Sequence, residues 1–203
     1  MSNRQGYKGT EIGEIPADWE VVHLADIVEG GKNTIDPRQY KEERFELYSI
    51  PAYYESQKPE LRFGKEIQSQ KLLVQNKAVL FGKINPRVPK VWLVASHTPY
   101  RKIASTEFIP LVANSKSLPK FVYYLAWSNY LLQRSKTLTI GTTTSRKRVE
   151  SEAYLNLPLP LPPLPEQQKI ASILSSVDDA IQKTDEIITK TQQLKKGLMQ
   201  QLL

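Results

Sequence analysis

The feature that most constrains this chain is its carboxy-terminal stretch, Glu166 to Leu203, which lacks proline and repeats apolar residues every three or four positions. This period predicts one amphipathic helix, and about 35 residues at ~1.5 Å per residue make it roughly 50 Å long. The rest of the chain predicts no helix of comparable length that could cover the apolar stripe. We therefore expect the helix to pair with a copy of itself or with a partner subunit; the alternative is a helix folded back on its own domain. The residues expected in this contact are Ile170, Leu174, Val177, Ile181, Ile188, Leu194 and Leu198.

A Leu-Pro alternation, LPLPLPPLP from Leu157 to Pro165, comes immediately before this helix. Proline lacks a backbone N–H and fixes φ, so the segment cannot lie in a helix interior or at the centre of a sheet. Residues before proline favour extended backbone, and we expect an extended spacer whose leucines lie along an apolar surface. Pro165 suits the first turn of a helix. The predicted boundary separates a domain at residues 1–165 from a helix at residues 166–203.

The excess positive charge belongs to the first part of the chain. Residues 1–165 contain 23 Lys and Arg against 16 Asp and Glu, whereas residues 166–203 contain five of each. A basic globular domain is typical of proteins that bind a polyanion, although a merely basic soluble domain would have the same composition. The absence of cysteine and of a long apolar run predicts a cytoplasmic location, no disulfides and no thiolate metal site.

The pattern within residues 1–165 predicts a mixed α/β (α+β) domain. A short strand is expected through Val21 and Val22, two more within residues 78–96, and a strand pair or one bent strand at residues 102–113. One helix, capped by Ser117, is expected to end near Ser135. Strands with one or two packed helices make an α+β or α/β domain.

The sequence lacks the groups that an enzyme would need. It has no glycine-rich dinucleotide fingerprint, no phosphate-binding loop and no Asn-Pro-Pro-aromatic run of the kind that amino-methyltransferases use. The two histidines, His23 and His97, are too few for a zinc site or a triad and are interpreted as structural or surface residues. We expect no catalysis, no metal and no cofactor on this chain.

Three segments carry the hydroxyl, amide, aromatic and basic side chains that read bases and hold phosphates. The first is a basic loop, the second surrounds the turn KINPRVPK, and the third is a pair of adjacent tyrosines. In the second, the Asn amide can make bidentate hydrogen bonds to adenine and the Arg guanidinium to guanine. Each has a simpler interpretation: a solvated loop, an asparagine that caps the turn, and tyrosines at the core edge. The candidate DNA-binding residues are Thr142, Thr143, Thr144, Ser145, Arg146, Lys147, Arg148, Lys83, Asn85, Arg87, Lys90, Tyr53 and Tyr54.

Several of these segments, taken in order, resemble the specificity subunit of type I restriction-modification systems. The ending LNLPLPLPPLPEQQKIASILSSVDDAIQ is the most specific of them, and KINPRVPKVWLV, IASTEFIPL, GTTTSRKRV and TEIGEIPADWEVVHL support it. The resemblance implies a target recognition domain followed by a spacer helix, with no chemistry of its own. It implies that partner subunits do the chemistry: a modification subunit that uses S-adenosylmethionine to methylate adenine, and a restriction subunit that uses ATP and Mg to translocate and cut double-stranded DNA.

Members of this family commonly carry two recognition domains and two spacer helices, and this chain has one of each. The resemblance therefore implies a homodimer whose helices form an antiparallel coiled coil, or pairing with a different half-subunit, and a target with two separated halves. The competing hypothesis is a dimeric DNA-binding regulator or architectural protein that acts without a methylase.

Overall fold

The structure is a computed structural model that describes residues 6–30, 33–95, 98–141 and 147–202. It contains short strands, five α-helices within the described ranges, and short 3-10 turns. The strands are β1 Tyr7–Thr10, β2 Gly13–Pro16, β3 Glu20–His23, β4 Val28–Glu29, β5 Thr34–Ile35, β6 Arg44–Tyr48, β7 Glu60–Phe63, β8 Lys71–Val74, β9 Val79–Gly82, β10 Val91–Leu93, β11 Arg101–Ala104, β12 Phe108–Ala113, β13 Thr139–Ile140, β14 Arg148–Val149 and β15 Pro158–Leu161. The helices are α1 Ile50–Glu55, α2 Pro119–Trp127, α3 Asn129–Thr137, α4 Ser151–Leu155 and α5 Leu164–Leu202.

Two larger sheets organise the mixed α/β domain. One has the strand order β10-β9-β12-β4 and the other β5-β8-β11-β6-β7, in which β11 and β6 run parallel. The stretch at residues 102–113, expected as a strand pair or one bent strand, forms β11 and β12, which belong to different sheets. A turn separates them, because the Phe108 N–H donates to the Ser105 carbonyl at 3.1 Å. This crossing carries the chain from one sheet to the other.

Two of the apolar cores lie on opposite faces of the β9 strand. Phe81 of β9 stacks on Tyr154 of α4, with ring centroids 4.2 Å apart, inside the core that includes α2 and β15. Leu80 belongs to the second core, in which Trp92 packs edge-to-face on Tyr48 at 4.7 Å. Because side chains alternate along a strand, one fully buried strand serves both cores. The turn that follows β9 thus begins at a fully buried strand.

The Leu-Pro segment is extended, as predicted, but it is a paired strand rather than a spacer. It forms β15 and pairs antiparallel with β3, and Val22 lies opposite Leu159. The side chains of Leu159 and Leu161 are buried in the domain core. Because β15 pairs only with β3 in this two-stranded sheet, its other edge has no neighbouring strand. The missing proline N–H groups on that edge therefore cost no hydrogen bond between strands.

The single helix expected between Ser117 and Ser135 is instead two helices, α2 and α3. Ser128 separates them, and its hydroxyl oxygen accepts a hydrogen bond from the Leu131 N–H at 3.3 Å as the N-cap of α3. Ser117 is also not the cap of α2, because its hydroxyl donates to the Ile27 carbonyl. The Leu118 N–H at the start of α2 donates to the side-chain oxygen of Gln167 at 3.1 Å.

Helix α5 starts inside the domain and then leaves it. Its first turns are held by the buried Gln167 and Ala171, and the Trp19 indole N–H donates to the Glu166 carboxylate at 2.8 Å. Tyr124 of α2 donates its hydroxyl hydrogen to Asp178 at 2.8 Å. Desolvation, and after it this hydrogen bond, raises the pKa of Tyr124 to about 12. Residues 176–201 are all exposed, so about 36 Å of helix beyond Asp178 projects from the domain. A helix folded back on its own domain is therefore excluded for this chain.

Candidate nucleic-acid interface

The turn between β9 and β10 lies at the centre of the candidate interface. Asn85 has a left-handed backbone with φ of 47°, and its carbonyl accepts a hydrogen bond from the Val88 N–H at 3.1 Å. Asparagine is among the residues that adopt this conformation most readily. The turn exposes Arg87 and Val88 at its tip, and Lys83 is half-buried at its base. We call residues 83–90 the KINPRVPK turn.

A second predicted segment, the β13–β14 hairpin, lies against this turn. The Asn85 N–H donates to the Lys147 carbonyl at 2.9 Å, and the Val149 N–H donates to the Lys83 carbonyl at 3.0 Å. The two segments are separate candidates in the sequence, whereas in the structure backbone hydrogen bonds join them into one surface. Residues 142–146, which include the predicted Thr142, Thr143, Thr144, Ser145 and Arg146, lie outside the described residues.

Arg148 of the hairpin is exposed but paired with a carboxylate. Its guanidinium donates to both carboxylate oxygens of Glu107, with Nε 2.8 Å from Oε2 and Nη2 2.9 Å from Oε1. These hydrogen bonds raise the pKa of Arg148 above its ordinary value. Glu107 was not singled out in the sequence, because an acidic residue in a turn between two strands carries no signal of its partner. Part of the positive charge expected of the basic loop is therefore balanced within the domain.

Lys90 lies beneath the KINPRVPK turn rather than on its surface. Its side chain is 1% exposed, and its ammonium donates to the Val88 carbonyl at 2.7 Å and to the Asn85 carbonyl at 3.3 Å. Burial lowers the pKa of Lys90 below its usual value. The prediction that Lys90 contacts DNA directly is wrong for this conformation, because the turn covers the ammonium.

The two tyrosines of α1 separate into a core residue and a surface residue. Tyr53 is 7% exposed and packs edge-to-face on Trp92 at 5.6 Å, and desolvation raises the pKa of its hydroxyl. The prediction that Tyr53 contacts DNA is wrong for this structure, because its position on α1 directs the side chain into the core. Tyr54 is 57% exposed, and its ring centroid lies 5.8 Å from the Lys90 ammonium nitrogen. Tyr54 therefore adjoins the KINPRVPK turn.

Two exposed apolar side chains were not predicted as part of this surface. Val88 at the tip of the turn is 46% exposed, and Ile140 of the hairpin is also exposed. Ile140 pairs with Arg148 across the hairpin, and Ile84 forms a bridge with Arg148 on the other side. Val88 lay within the quoted turn, but nothing in the sequence marked its side chain as exposed. The surface thus combines amide, basic, aromatic and apolar groups.

The apolar stripe of α5 forms a second exposed surface. Ile170 is an exception, because it is half-buried and packs against the core of its own domain. The other six predicted residues are between 39% and 63% exposed. These six are Leu174, Val177, Ile181, Ile188, Leu194 and Leu198.

The described parts of the chain contain neither a candidate metal site nor a candidate membrane-spanning helix. In residues 6–30, 33–95, 98–141 and 147–202, no three His, Cys, Asp or Glu side chains come together in a way that could hold a metal ion. Within the same ranges, none of the helices combines the length and apolarity needed to span a bilayer.

The sequence of residues 16–193 matches the protein-family model of the type I restriction modification DNA specificity domain. The chain belongs to this family. A protein named as the specificity subunit of type I restriction enzyme MjaX, from Methanocaldococcus jannaschii, is 30% identical over 98% of this chain and 48% of its own length. The MjaVIII specificity subunit of the same organism is 28% identical over the same shares. The chain thus spans about half the length of these curated relatives.

Solved structures show the same fold. The HsdS subunit from Thermoanaerobacter tengcongensis superposes with a TM-score of 0.71 at 23% identity, over 92% of this chain and 48% of that subunit. The S subunit from M. genitalium gives a TM-score of 0.54 at 17% identity, over 81% of this chain and 40% of that one. The mixed α/β domain with a long carboxy-terminal helix is therefore the fold of type I specificity subunits.

Proposed function

We propose that the chain recognises a DNA sequence for a type I restriction-modification complex and does no catalysis itself. The observation that carries this proposal is the convergence of the KINPRVPK turn, the β13–β14 hairpin and Tyr54 on one surface of a chain that belongs to the specificity family. This surface presents Arg87, an amide at Asn85 and exposed apolar groups. Guanidinium and amide groups make bidentate contacts to guanine and adenine, and apolar groups contact the thymine methyl.

The proposed mechanism divides the surface between specificity and affinity. Arg87 and Asn85 would contact base edges in the major groove, and Lys83 and Lys147 would hold phosphates. Tyr54 would pack beside the groove. The proposal also keeps DNA contacts for the predicted residues 142–146, whose side chains carry hydroxyl and basic groups. Because phosphate contacts release counterions, binding should weaken steeply as salt concentration rises.

The proposed role of α5 is to set the distance between two recognition surfaces. Its six exposed apolar residues need a second long helix, and we propose an antiparallel pairing with a second copy of the chain, which would place one recognition domain at each end. The DNA target would then have two halves separated by a fixed number of base pairs. Thr184 and Thr191 interrupt the stripe, so the heptads would be irregular.

The proposed partners are double-stranded DNA, a methyltransferase (modification) subunit and a restriction subunit, meeting in the cytoplasm. S-adenosylmethionine would bind the modification subunit, and ATP and Mg the restriction subunit. Adenine methylation requires the base to leave the duplex stack, and that step would belong to the modification subunit. This chain would choose where it happens.

The test begins by purifying the chain with a candidate modification subunit and mapping the adenines that the complex methylates in bacterial DNA. A bipartite motif is the expected result. Arg87→Ala should weaken binding to a duplex carrying that motif by about 5–150-fold, because a bidentate base contact contributes about 1–3 kcal/mol. Lys41→Ala, an exposed lysine on the loop before β6, is the matched loss of one positive charge and should change affinity far less.

Two outcomes would contradict the proposal. Tight, sequence-specific binding by the chain alone, with no methylation in the complex, would instead support a DNA-binding regulator. Equal affinities for Arg87→Ala and Lys41→Ala would remove the KINPRVPK turn from the interface.

The pairing of α5 is tested separately with Ile181→Glu and Ile188→Glu. A charge in a helix-helix seam is costly, so each variant should shift the chain from dimer to monomer in light scattering. Lys183→Glu, on the same helix, is the control and should leave the dimer intact. A wild-type chain that is monomeric at high concentration, and that dimerises only with a second type of subunit, would favour pairing with a different half-subunit.

A further inference from the structure

The buried ammonium of Lys90 has no role in the proposed DNA contacts. Lysine is almost never fully buried without a partner charge, and among the described residues no carboxylate forms an ion pair with this one. Its partners are instead the carbonyls of Val88 and Asn85, both within the KINPRVPK turn. A buried charge that donates only to one turn contributes to the shape of that turn.

The stem of Lys90 is also held in place by a neighbouring strand. The Gly82 N–H donates to the Lys90 carbonyl at 2.7 Å, and the side chain of Lys90 crosses the open face of this glycine. A Cβ atom added at Gly82 would lie 2.8 Å from both Cβ and Cε of Lys90, closer than real Cβ contacts occur. Glycine at this position is therefore what gives the lysine stem its path under the turn.

The hydrogen bonds of the turn extend from Lys90 to the hairpin. Lys90 binds the Asn85 carbonyl, and the N–H of the same residue donates to the Lys147 carbonyl of the hairpin at 2.9 Å. Asn85 has the left-handed conformation, which asparagine adopts more readily than most residues, and these two hydrogen bonds hold it there. Tyr54 adjoins the same ammonium, with its ring centroid 5.8 Å from the Lys90 nitrogen.

We propose that Lys90 is a positioning residue for sequence recognition, whose ammonium fixes the KINPRVPK turn and, through Asn85, its alignment with the β13–β14 hairpin. This inference rests on the proposed function of the surface. A preformed turn presents Arg87 in one orientation, and a bidentate base contact depends on that orientation. Phosphate contacts tolerate a looser turn because they depend mainly on charge. Loss of the ammonium should therefore reduce discrimination between sequences more than it reduces general affinity.

The test compares three variants of the full chain in complex with its modification subunit. Lys90→Met keeps the length of the stem and removes the ammonium. Gly82→Ala keeps the ammonium and displaces the stem. Lys83→Met removes a neighbouring charge at the base of the turn and is the matched control, expected to lower affinity for all duplexes alike.

The first readout is hydrogen exchange of the amides of Asn85 and Val88 in the free chain. We expect Lys90→Met and Gly82→Ala to speed exchange at these two amides by about 10-fold or more, because the turn opens locally when its hydrogen bonds weaken. Exchange in β6, which belongs to the other sheet, should stay at the wild-type rate and thereby show that the variants fold. Wild-type exchange at both amides in Lys90→Met would overturn the inference, whatever the DNA results.

The second readout is the ratio of affinities for the mapped target and for a duplex of equal length with scrambled half-sites. We expect this ratio to fall by about 10–100-fold in Lys90→Met, the loss that follows from one misplaced base contact. The affinity for the scrambled duplex and the salt dependence should stay unchanged, since a buried ammonium touches no phosphate. Faster exchange with an unchanged ratio would overturn the role in recognition. If the wild-type complex had no sequence preference, the proposed function would fail, and the exchange result alone would decide whether Lys90 holds the turn.

Discussion

Gln167 gives the sharpest test of how α5 is fixed to its domain. The side chain is 1% exposed and makes three hydrogen bonds with the backbone. Its carbonyl oxygen accepts from the Leu118 N–H at 3.1 Å, and its amide donates to the carbonyls of Lys116 at 3.0 Å and Pro162 at 2.9 Å. One residue therefore caps α2, holds the segment before α2 and closes the turn that leads into α5.

Replacing Gln167 by methionine keeps a flexible side chain of similar length and removes all three hydrogen bonds. Each hydrogen bond contributes about 0.5–1.5 kcal/mol net, so the loss should be about 3 kcal/mol of unfolding free energy. For a protein of this size, that corresponds to a melting temperature about 6–12 °C lower. The largest share of this cost should come from the Pro162 carbonyl, because its hydrogen bond to Gln167 is the buried one of the three.

The matched control is Gln168→Met, which makes the same chemical change at the adjacent, exposed position of α5. Urea denaturation followed by circular dichroism, at one fixed protein concentration, measures both variants. We expect a lower midpoint with an unchanged slope for Gln167→Met and a wild-type midpoint for Gln168→Met. Equal midpoints for the two variants would refute the assignment of Gln167 as the anchor of α5.

Three further substitutions test the packing of the domain. Tyr154→Phe should raise the unfolding free energy by about 1 kcal/mol, because the buried hydroxyl has no hydrogen-bond partner in the described part of the chain; a lower melting temperature would contradict this. Gly64→Ala should cost about 3 kcal/mol or more in a denaturant titration, since a Cβ would lie 2.2 and 2.3 Å from two backbone carbonyl oxygens; Gly9→Ala, with open space around it, is the control. Trp19→Phe should cost about 1 kcal/mol by calorimetry through its lost hydrogen bond to Glu166, and no change would show that this bond contributes nothing.

The features that the sequence predicted well depend on local pattern. Helix α5 follows from a continuous apolar period without proline, and it begins at Leu164, two residues before the predicted Glu166. The strands on either side of the KINPRVPK turn follow from β-branched runs separated by prolines. Such patterns reflect which face of an element is buried, and they need no knowledge of the partner.

The features that the sequence missed depend on tertiary partners. The three- and four-residue period continues across Ser128, so the pattern favoured one helix and outweighed the serine, a preferred N-cap residue, that separates α2 from α3. Lys90 resembled any surface lysine, and its burial depends on the open face of Gly82 and on two carbonyls of the turn. Tyr53 and Tyr54 are adjacent and identical, so only the packing of Trp92 distinguishes the buried residue from the exposed one.

Helix α5 is continuous from its first turns, which are fixed in the domain, to its projecting end. Any inserted residue would therefore both translate and rotate the projecting part relative to the domain. One inserted residue would advance the projecting part by ~1.5 Å and rotate it by about 100°, which would carry the apolar stripe away from the partner helix proposed above. Seven inserted residues would restore the stripe to within about 20° and advance it by roughly 10.5 Å, close to three base-pair steps of DNA. If α5 pairs as proposed, heptad-sized insertions are therefore the increments that would lengthen the distance between the two recognition domains and keep the helix contact.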